Sequence, residues 1–233
     1  GSEPHLSVRP AHEYLFVVIA SPVASYFGPQ LRAITVAVET SDVRATPGGT
    51  GAAKFAGNYA AGFAAHGRAG AAGHDQVLWL DAAEHRWVEE LNAMNVVFVW
   101  DRDGRTVVST PPLTGTILEG VTRDSVLTVT RDAIADGGAT GSAVAVDEVV
   151  VEPTSIEHLH AGALHGTLRE AFACGTAAVI APIGRSVHDG DELVIGDGRP
   201  GPVTMDPRRR LLDVQYGRAV DRHGWVRRVA TTS

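Results

Sequence analysis

Lys54 closes the glycine-dense run Gly48-Gly49-Thr50-Gly51-Ala52-Ala53 and is followed by Phe55. That arrangement invites comparison with a phosphate-binding loop. The comparison fails at both neighbours. Alanine precedes the lysine and phenylalanine follows it, so no hydroxyl is placed for a magnesium ion. By spacing alone, a lysine where such a turn meets an alanine-rich helix is a surface charge. Glu89-Glu90 ends an apolar stretch and reads, on pattern alone, as a solvated strand end. Of the ten histidines, His158 and His160 stand two apart in a helix-like stretch and so point to different faces. With no HExxH pattern and no Cys/His cluster, they read as solvated or capping groups, and a metal site is not expected. Cys174 has no basic neighbour in sequence to lower its pKa, so it reads as a small buried hydrophobe. Trp79, Trp87, Met94 and Phe98, at strand spacing, read as core.

These residues need elements to hold them. Residues 14–20 (YLFVVIA) form an apolar, β-prone run and read as a buried strand. LRAITVAVET alternates like a half-buried strand. After the glycine turn, FAGNYAAGFAAHGRAG reads as a helix weakened by its glycines. QVLWLD, WVEE, NVVFVW and TVVST read as short strands, with a hairpin turn at Asp101-Arg102-Asp103-Gly104. Arg123 to Ala135 reads as an amphipathic helix. SAVAVDEVVVE reads as a strand, and Thr154 to Ala161 as a short helix capped by Thr154 or Ser155. REAFA and AAVIAPIG are strands about a tight turn at Cys174-Gly175-Thr176, and Gly190-Asp191 marks another hairpin. Asp206-Pro207 is expected to open a last helix through Tyr216. DGGATG is the only flexible-looking stretch. The pattern is strand-rich α/β without regular βαβ alternation.

Composition narrows the class. The chain has 233 residues, 44% of them hydrophobic, and a net charge of -7. That is enough apolar material for one large core. The acidic balance argues against nucleic acid or an anionic membrane surface as partner. No apolar run is long enough to span a bilayer and no leader pattern opens the chain, so a cytoplasmic location is the expectation. One cysteine excludes an intramolecular disulfide within these residues and any CxxC motif.

Six stretches occur together and in order: YLFVVIASPVASYF, RATPGGTGAAKFAGNYAA, DQVLWLDAAEHRWVEELNAMN, TPPLTGTILEGVTRDS, REAFACGTAAVIAPIG, and GDGRPGPVTM with LLDVQYGRAVDRHGW. As a set they resemble branched-chain amino acid aminotransferases, of the class IV, pyridoxal-phosphate-dependent group. The resemblance implies a mixed α/β fold, the large C-terminal domain of that class: a strand-rich pseudo-barrel with flanking helices. It implies residues 1–20 as the tail of a small N-terminal domain, 21–30 as an interdomain loop and 31–233 as the large cofactor-binding domain. It implies a homodimer that moves amino groups between leucine, isoleucine or valine and 2-oxoglutarate, with pyridoxal 5'-phosphate as cofactor.

The resemblance also assigns residues. Lys54 matches the lysine that carries the cofactor and shuttles the α-proton. Tyr59 matches the tyrosine that hydrogen-bonds the cofactor's phenolic oxygen. Glu90 matches the carboxylate that keeps the pyridine nitrogen protonated. Arg44 matches the phosphate-binding arginine, Val121 and Thr122 match positions donating backbone N–H groups to the phosphate, and Thr176 matches a phosphate-contacting hydroxyl. The Thr176-Ala177 turn matches the binder of the substrate carboxylate, and Tyr26 an aromatic bordering the substrate. Departures from the family pattern are Asn92-Ala93 in place of a glycine-rich or Gly-Thr pair, Glu119 in place of proline, and Ala178 and Ala181 in the region where some members carry a thiol pair. Only the tail of the small domain is matched; if nothing replaces the wall that domain supplies, the expectation is a cofactor site open to water that transaminates poorly. Two rival readings remain: another class IV enzyme, acting on D-amino acids or amines or as an aminodeoxychorismate lyase, and a non-catalytic cofactor-binding domain.

Overall fold

The computed structural model describes residues 3–22, 31–137, 145–227 and 229. In chain order the elements are β1 (Ile34–Glu39), α1 (Ala56–Ala71), β2 (Gln76–Leu80), β3 (Val88–Leu91), β4 (Asn95–Arg102), β5 (Arg105–Thr110), α2 (Val121–Ala135), β6 (Glu148–Val151), α3 (Ile156–His165), β7 (Leu168–Gly175), β8 (Val179–His188), β9 (Asp191–Val194) and α4 (Pro202–Gln215).

The strands form one sheet in the order β3-β2-β1-β8-β7-β4-β5-β6, with β9 beside β8. A further pairing of β3 with β4 closes the six strands from β3 round to β4 on themselves. The result is the barrel-like mixed sheet that the resemblance implies. β1 runs parallel to β2 and β8, and β5 to β6. The neighbours of β7 are antiparallel.

Strand alternation divides the interior. Along β4, Val96, Phe98 and Trp100 pack into the largest core with Ile34, Val36, Leu78 and Leu168. Val97 and Val99 face the other way, against Val126 and Val129 of α2 and Val203 and Leu211 of α4. α1 lies on β2 through Ala65 and Ala69, which meet Val77 and Trp79. Its small residues allow the close approach: a Cβ on Gly62 would stand 3.1 Å from the Trp79 ring. Ser155 caps α3 by accepting from the His158 N–H, as one of the two expected caps. The hairpin at residues 101–104 holds Asp103 and Gly104 at φ of 54° and 81°.

Four expectations need correction. Residues 14–20 form no strand, and Tyr14 to Ile19 are exposed. An apolar, β-prone run marks side chains that need cover, but a strand also needs a neighbouring ladder, and no described strand pairs with this run. The last helix begins at Pro202, not at Asp206-Pro207. Pro202 takes the tolerated first position, and the Glu170 carboxylate accepts from Val203 N–H at 3.1 Å and Thr204 N–H at 2.7 Å. A side chain from β7 thus supplies the cap, and Pro207 sits inside the helix. In SAVAVDEVVVE only Glu148–Val151 is strand; residues 142–144 lie outside the described residues, as does most of DGGATG. Trp87 is half-buried under the Arg86 guanidinium, 5.0 Å from the ring centre, whereas Trp79, Phe98 and Met94 are core. Among the described residues no helix is long and apolar enough to cross a membrane.

Candidate active site

The β3–β4 hairpin makes the floor. Leu91 N–H donates to Met94 O at 2.9 Å and closes its turn, which sets Glu90 opposite Asn95. Glu90 is 3% exposed, far from a solvated strand end. Its Oε1 pairs with Arg44 Nη2 at 2.9 Å. Its Oε2 accepts from Asn95 Nδ2 at 3.0 Å and from Leu118 N–H at 3.3 Å. Burial outweighs these stabilising partners and pushes Glu90 up to about 8. Glu89 points to the opposite face of the strand, where it accepts from the Thr116 hydroxyl; burial raises its pKa as well.

Arg44 is buried on the loop that follows β1. Its Nη2 also donates to Gly51 O at 3.1 Å and to Thr116 O, while its Nε has no partner among the described residues. The glycine turn must pass close here. A Cβ on Gly51 would lie 2.2 Å from Thr116 O, so this position admits only glycine.

The rim is built differently. Lys54 is exposed just before α1, and among the described residues it makes no hydrogen bond or ion pair. Asn58, in the first turn of α1, ties down the loop that carries it: Nδ2 donates to Thr50 O at 2.6 Å and Ala53 O at 2.8 Å, and Oδ1 accepts from Thr50 Oγ1 at 2.6 Å. Tyr59, next along, is half-buried. α2 starts at Gly120 without a side-chain cap, and its first intrahelical bond runs from Asp124 N–H to Gly120 O. The N–H groups of Val121, Thr122 and Arg123 therefore stand at the positive end of the helix, an arrangement that suits an anion. Thr176 and Ala177 form the exposed β7–β8 turn.

Arg44, Lys54, Tyr59, Glu90, Val121, Thr122 and Thr176 all border one cleft of about 250 Å³. Ala177 lines an adjoining hollow with Met94 and Gly175. Tyr26 lies outside the described residues. Cys174 borders the cleft but is buried, which pushes its thiol up to about 12. Glu119 is exposed at the rim. Asn92 spans elements: its Oδ1 accepts from Trp79 Nε1 at 2.7 Å and its Nδ2 meets His66 Nδ1 at 2.8 Å.

A family model for class IV amino-transferases matches residues 2–185. The chain belongs to the class IV amino-transferase family. It is 45% identical over 229 residues to the branched-chain-amino-acid aminotransferase of Mycobacterium tuberculosis strain H37Rv, covering 98% of this chain and 59% of that one. It is similar in structure to the Escherichia coli branched-chain amino acid aminotransferase, with a TM-score of 0.69 and 30% identity over 88% of this chain and 59% of that chain. It is also similar to the branched-chain amino acid aminotransferase from Thermobaculum terrenum in its PLP-form: TM-score 0.61, 28% identity, 80% of this chain and 52% of that chain. The chain thus spans between about half and three-fifths of these relatives' length.

Within this class IV chain, two side chains that line the cleft, Asn58 and Asn95, and two that brace its surroundings, Thr116 and Arg123, escaped the sequence reading. Asn58 follows Lys54 by one helical turn, a spacing that could have shown it. Asn95 follows Glu90 across a four-residue turn, so hairpin register could have shown it. Thr116 had no signal. Arg123, buried, donates to Pro111 O at 2.9 Å and Thr110 Oγ1 at 3.2 Å, holding the start of α2 to the end of β5.

Proposed function

We propose that this chain supplies the cofactor-binding domain of a branched-chain amino acid transaminase, which exchanges amino groups between leucine, isoleucine or valine and 2-oxoglutarate with pyridoxal 5'-phosphate. The observation that carries this is the convergence of an unpaired lysine, a buried carboxyl group and an anion-suited helix start on one cleft. The relatives' names and the PLP-form of the Thermobaculum terrenum enzyme support the choice of reaction and cofactor.

The residues present suit that cofactor. Arg44 Nε is a buried donor without a partner among the described residues, and the uncapped start of α2 opens on the same cleft. Together they suit a phosphate, with the Val121 and Thr122 N–H groups and the Thr176 hydroxyl as further donors. Glu90, anionic beside a ring N–H, would hold the pyridine nitrogen protonated. Tyr59 would donate to the phenolic oxygen. When bound, the cofactor supplies the aldehyde that takes up the amino group and a ring that withdraws electrons from the substrate's α-carbon. Lys54 Nζ is the amine that would hold that aldehyde, and it would serve the substrate's α-proton as base and then acid. Thr176, Ala177 and Tyr26 would receive the substrate. In this scheme residues 31–233 form the large domain, with 21–30 and 1–20 leading to it, and the assembly is a homodimer. The exposed apolar run Tyr14–Ile19 is consistent with cover from another domain or subunit.

The test is borohydride reduction in the presence of pyridoxal phosphate, followed by mass analysis, with a transamination panel of L- and D-amino acids on the full-length protein. The expected result is a phosphopyridoxyl adduct at Lys54 and transfer from L-leucine, L-isoleucine and L-valine. An adduct elsewhere, or preference for D-amino acids, would overturn the assignment.

A further inference from the structure

We infer that Asn95 is a positioning residue: its side-chain amide ties the Glu90 carboxyl group to the loop that leads into α2, and so fixes the separation between the cleft's acidic floor and its helix start. Glu90 and Asn95 are direct antiparallel partners, so their side chains leave the same face of the hairpin. Asn95 is 4% exposed and spends both amide hydrogens. One goes to Glu90 Oε2 at 3.0 Å, the other to Leu118 O at 2.9 Å. Leu118 N–H returns to the same Oε2 at 3.3 Å. The amide, the carboxyl group and one backbone unit thus form a closed set across β3, β4 and the loop. Leu118 stands two residues before Gly120, which opens α2.

The other side of the amide is equally constrained. A Cβ on Gly120 would stand 2.1 Å from Asn95 Oδ1. Glycine there lets the loop close on the amide. Among the described residues, the charged or titratable groups around Glu90 are Arg44 on the loop after β1, Glu89 on its own strand, Cys174 on β7, and Lys54, Tyr59 and Glu119 bordering the same cleft. Arg44 reaches the same loop further back, at Thr116 O. Asn95 is the side chain that ties the carboxyl group to Leu118, next to the start of α2.

A donor aimed at a carboxyl oxygen stabilises its charged form, so the role predicts a titration signature that a purely packing residue would not move. The titration of Glu90 in the ligand-free protein is followed by NMR of ¹³C-labelled glutamate in the wild type, Asn95→Leu and Gly120→Ala. Asn95→Leu keeps the shape and removes both bonds; Gly120→Ala leaves Asn95 in place and pushes its amide aside. Both variants should move the Glu90 midpoint upward by about one pH unit. A midpoint at the wild-type value in either folded variant overturns the inference, and Gly120→Ala decides it if Asn95→Leu does not fold.

The link to the helix start rests on the proposed cofactor reading and has its own arm. Pyridoxal phosphate affinity should fall about tenfold in both variants, the loss of one well-made charged hydrogen bond. A shifted midpoint beside unchanged affinity overturns the link between floor and helix. A wild type that binds no pyridoxal phosphate overturns the proposed function instead, and the carboxyl titration still decides Asn95.

Discussion

The floor and the rim of the cleft are made by opposite means. On the floor, Arg44, Glu90 and Asn95 are buried; Glu90 is bonded to both of the others, and Glu90 and Asn95 are bonded to Leu118. On the rim, Lys54 and Thr176 are exposed, and α2 begins without a cap. The floor uses its polar groups to hold strands and loops together, because a buried polar group without a partner is costly. The rim keeps its groups available to a ligand and relies on neighbours such as Asn58 to hold the backbone beneath them. Substitutions on the two should therefore fail differently, the rim in chemistry alone and the floor in folding as well as in cofactor binding.

The largest separation is expected at Lys54. Lys54→Ala should abolish the borohydride-trapped adduct and lower transamination by at least ~100-fold. Its unfolding free energy should stay within about 0.5 kcal/mol of wild type, because the side chain is exposed and unpaired. Urea unfolding beside the activity assay measures both, and a large loss of stability would make Lys54 part of the floor.

Arg44 should do the reverse in the ligand-free protein. Above pH 8, where Glu90 is charged, Arg44→Ala strands that carboxylate in the interior and should cost about 3–5 kcal/mol, read from the urea midpoint. A loss under about 1 kcal/mol would mean that Glu90 is already neutral there or relaxes to water.

The smallest effect sharpens that last point. The folded protein holds the Glu90 proton up to about 8, whereas the ordinary value is 4.5. Between these values the native state binds more protons than the unfolded chain, so this group's contribution to stability is fully present at the acid end. It declines as pH rises toward 8. Glu90→Gln should flatten the decline, and Glu89, also raised by burial, should leave a remainder. Unfolding free energies across this window check it; an unchanged slope in the variant would remove Glu90 as its source.

Much of the fold was readable because it depends on local pattern. The alternation of Ile34–Glu39, the helix after the glycine turn and the Asp103-Gly104 hairpin were all visible in the residues. Residues 14–20 misled because the same apolar residues serve a buried strand or a surface awaiting cover. The start of α4 misled because its cap comes from Glu170, on another element. The candidate site divides the same way. Local spacing made Lys54 a surface charge and Glu90 a strand end; only family resemblance raised them to candidates.

The sequence by itself determined the elements, their apolar faces and the family to which they belong, since hydrophobic period, turn chemistry and long matched motifs are properties of contiguous residues. Tertiary structure decided which polar groups are buried and which are left free. Burial and hydrogen-bond partnership at Arg44, Glu90 and Asn95 arise where β3, β4, the loop after β1 and the approach to α2 meet, and no one of those segments contains the others' groups.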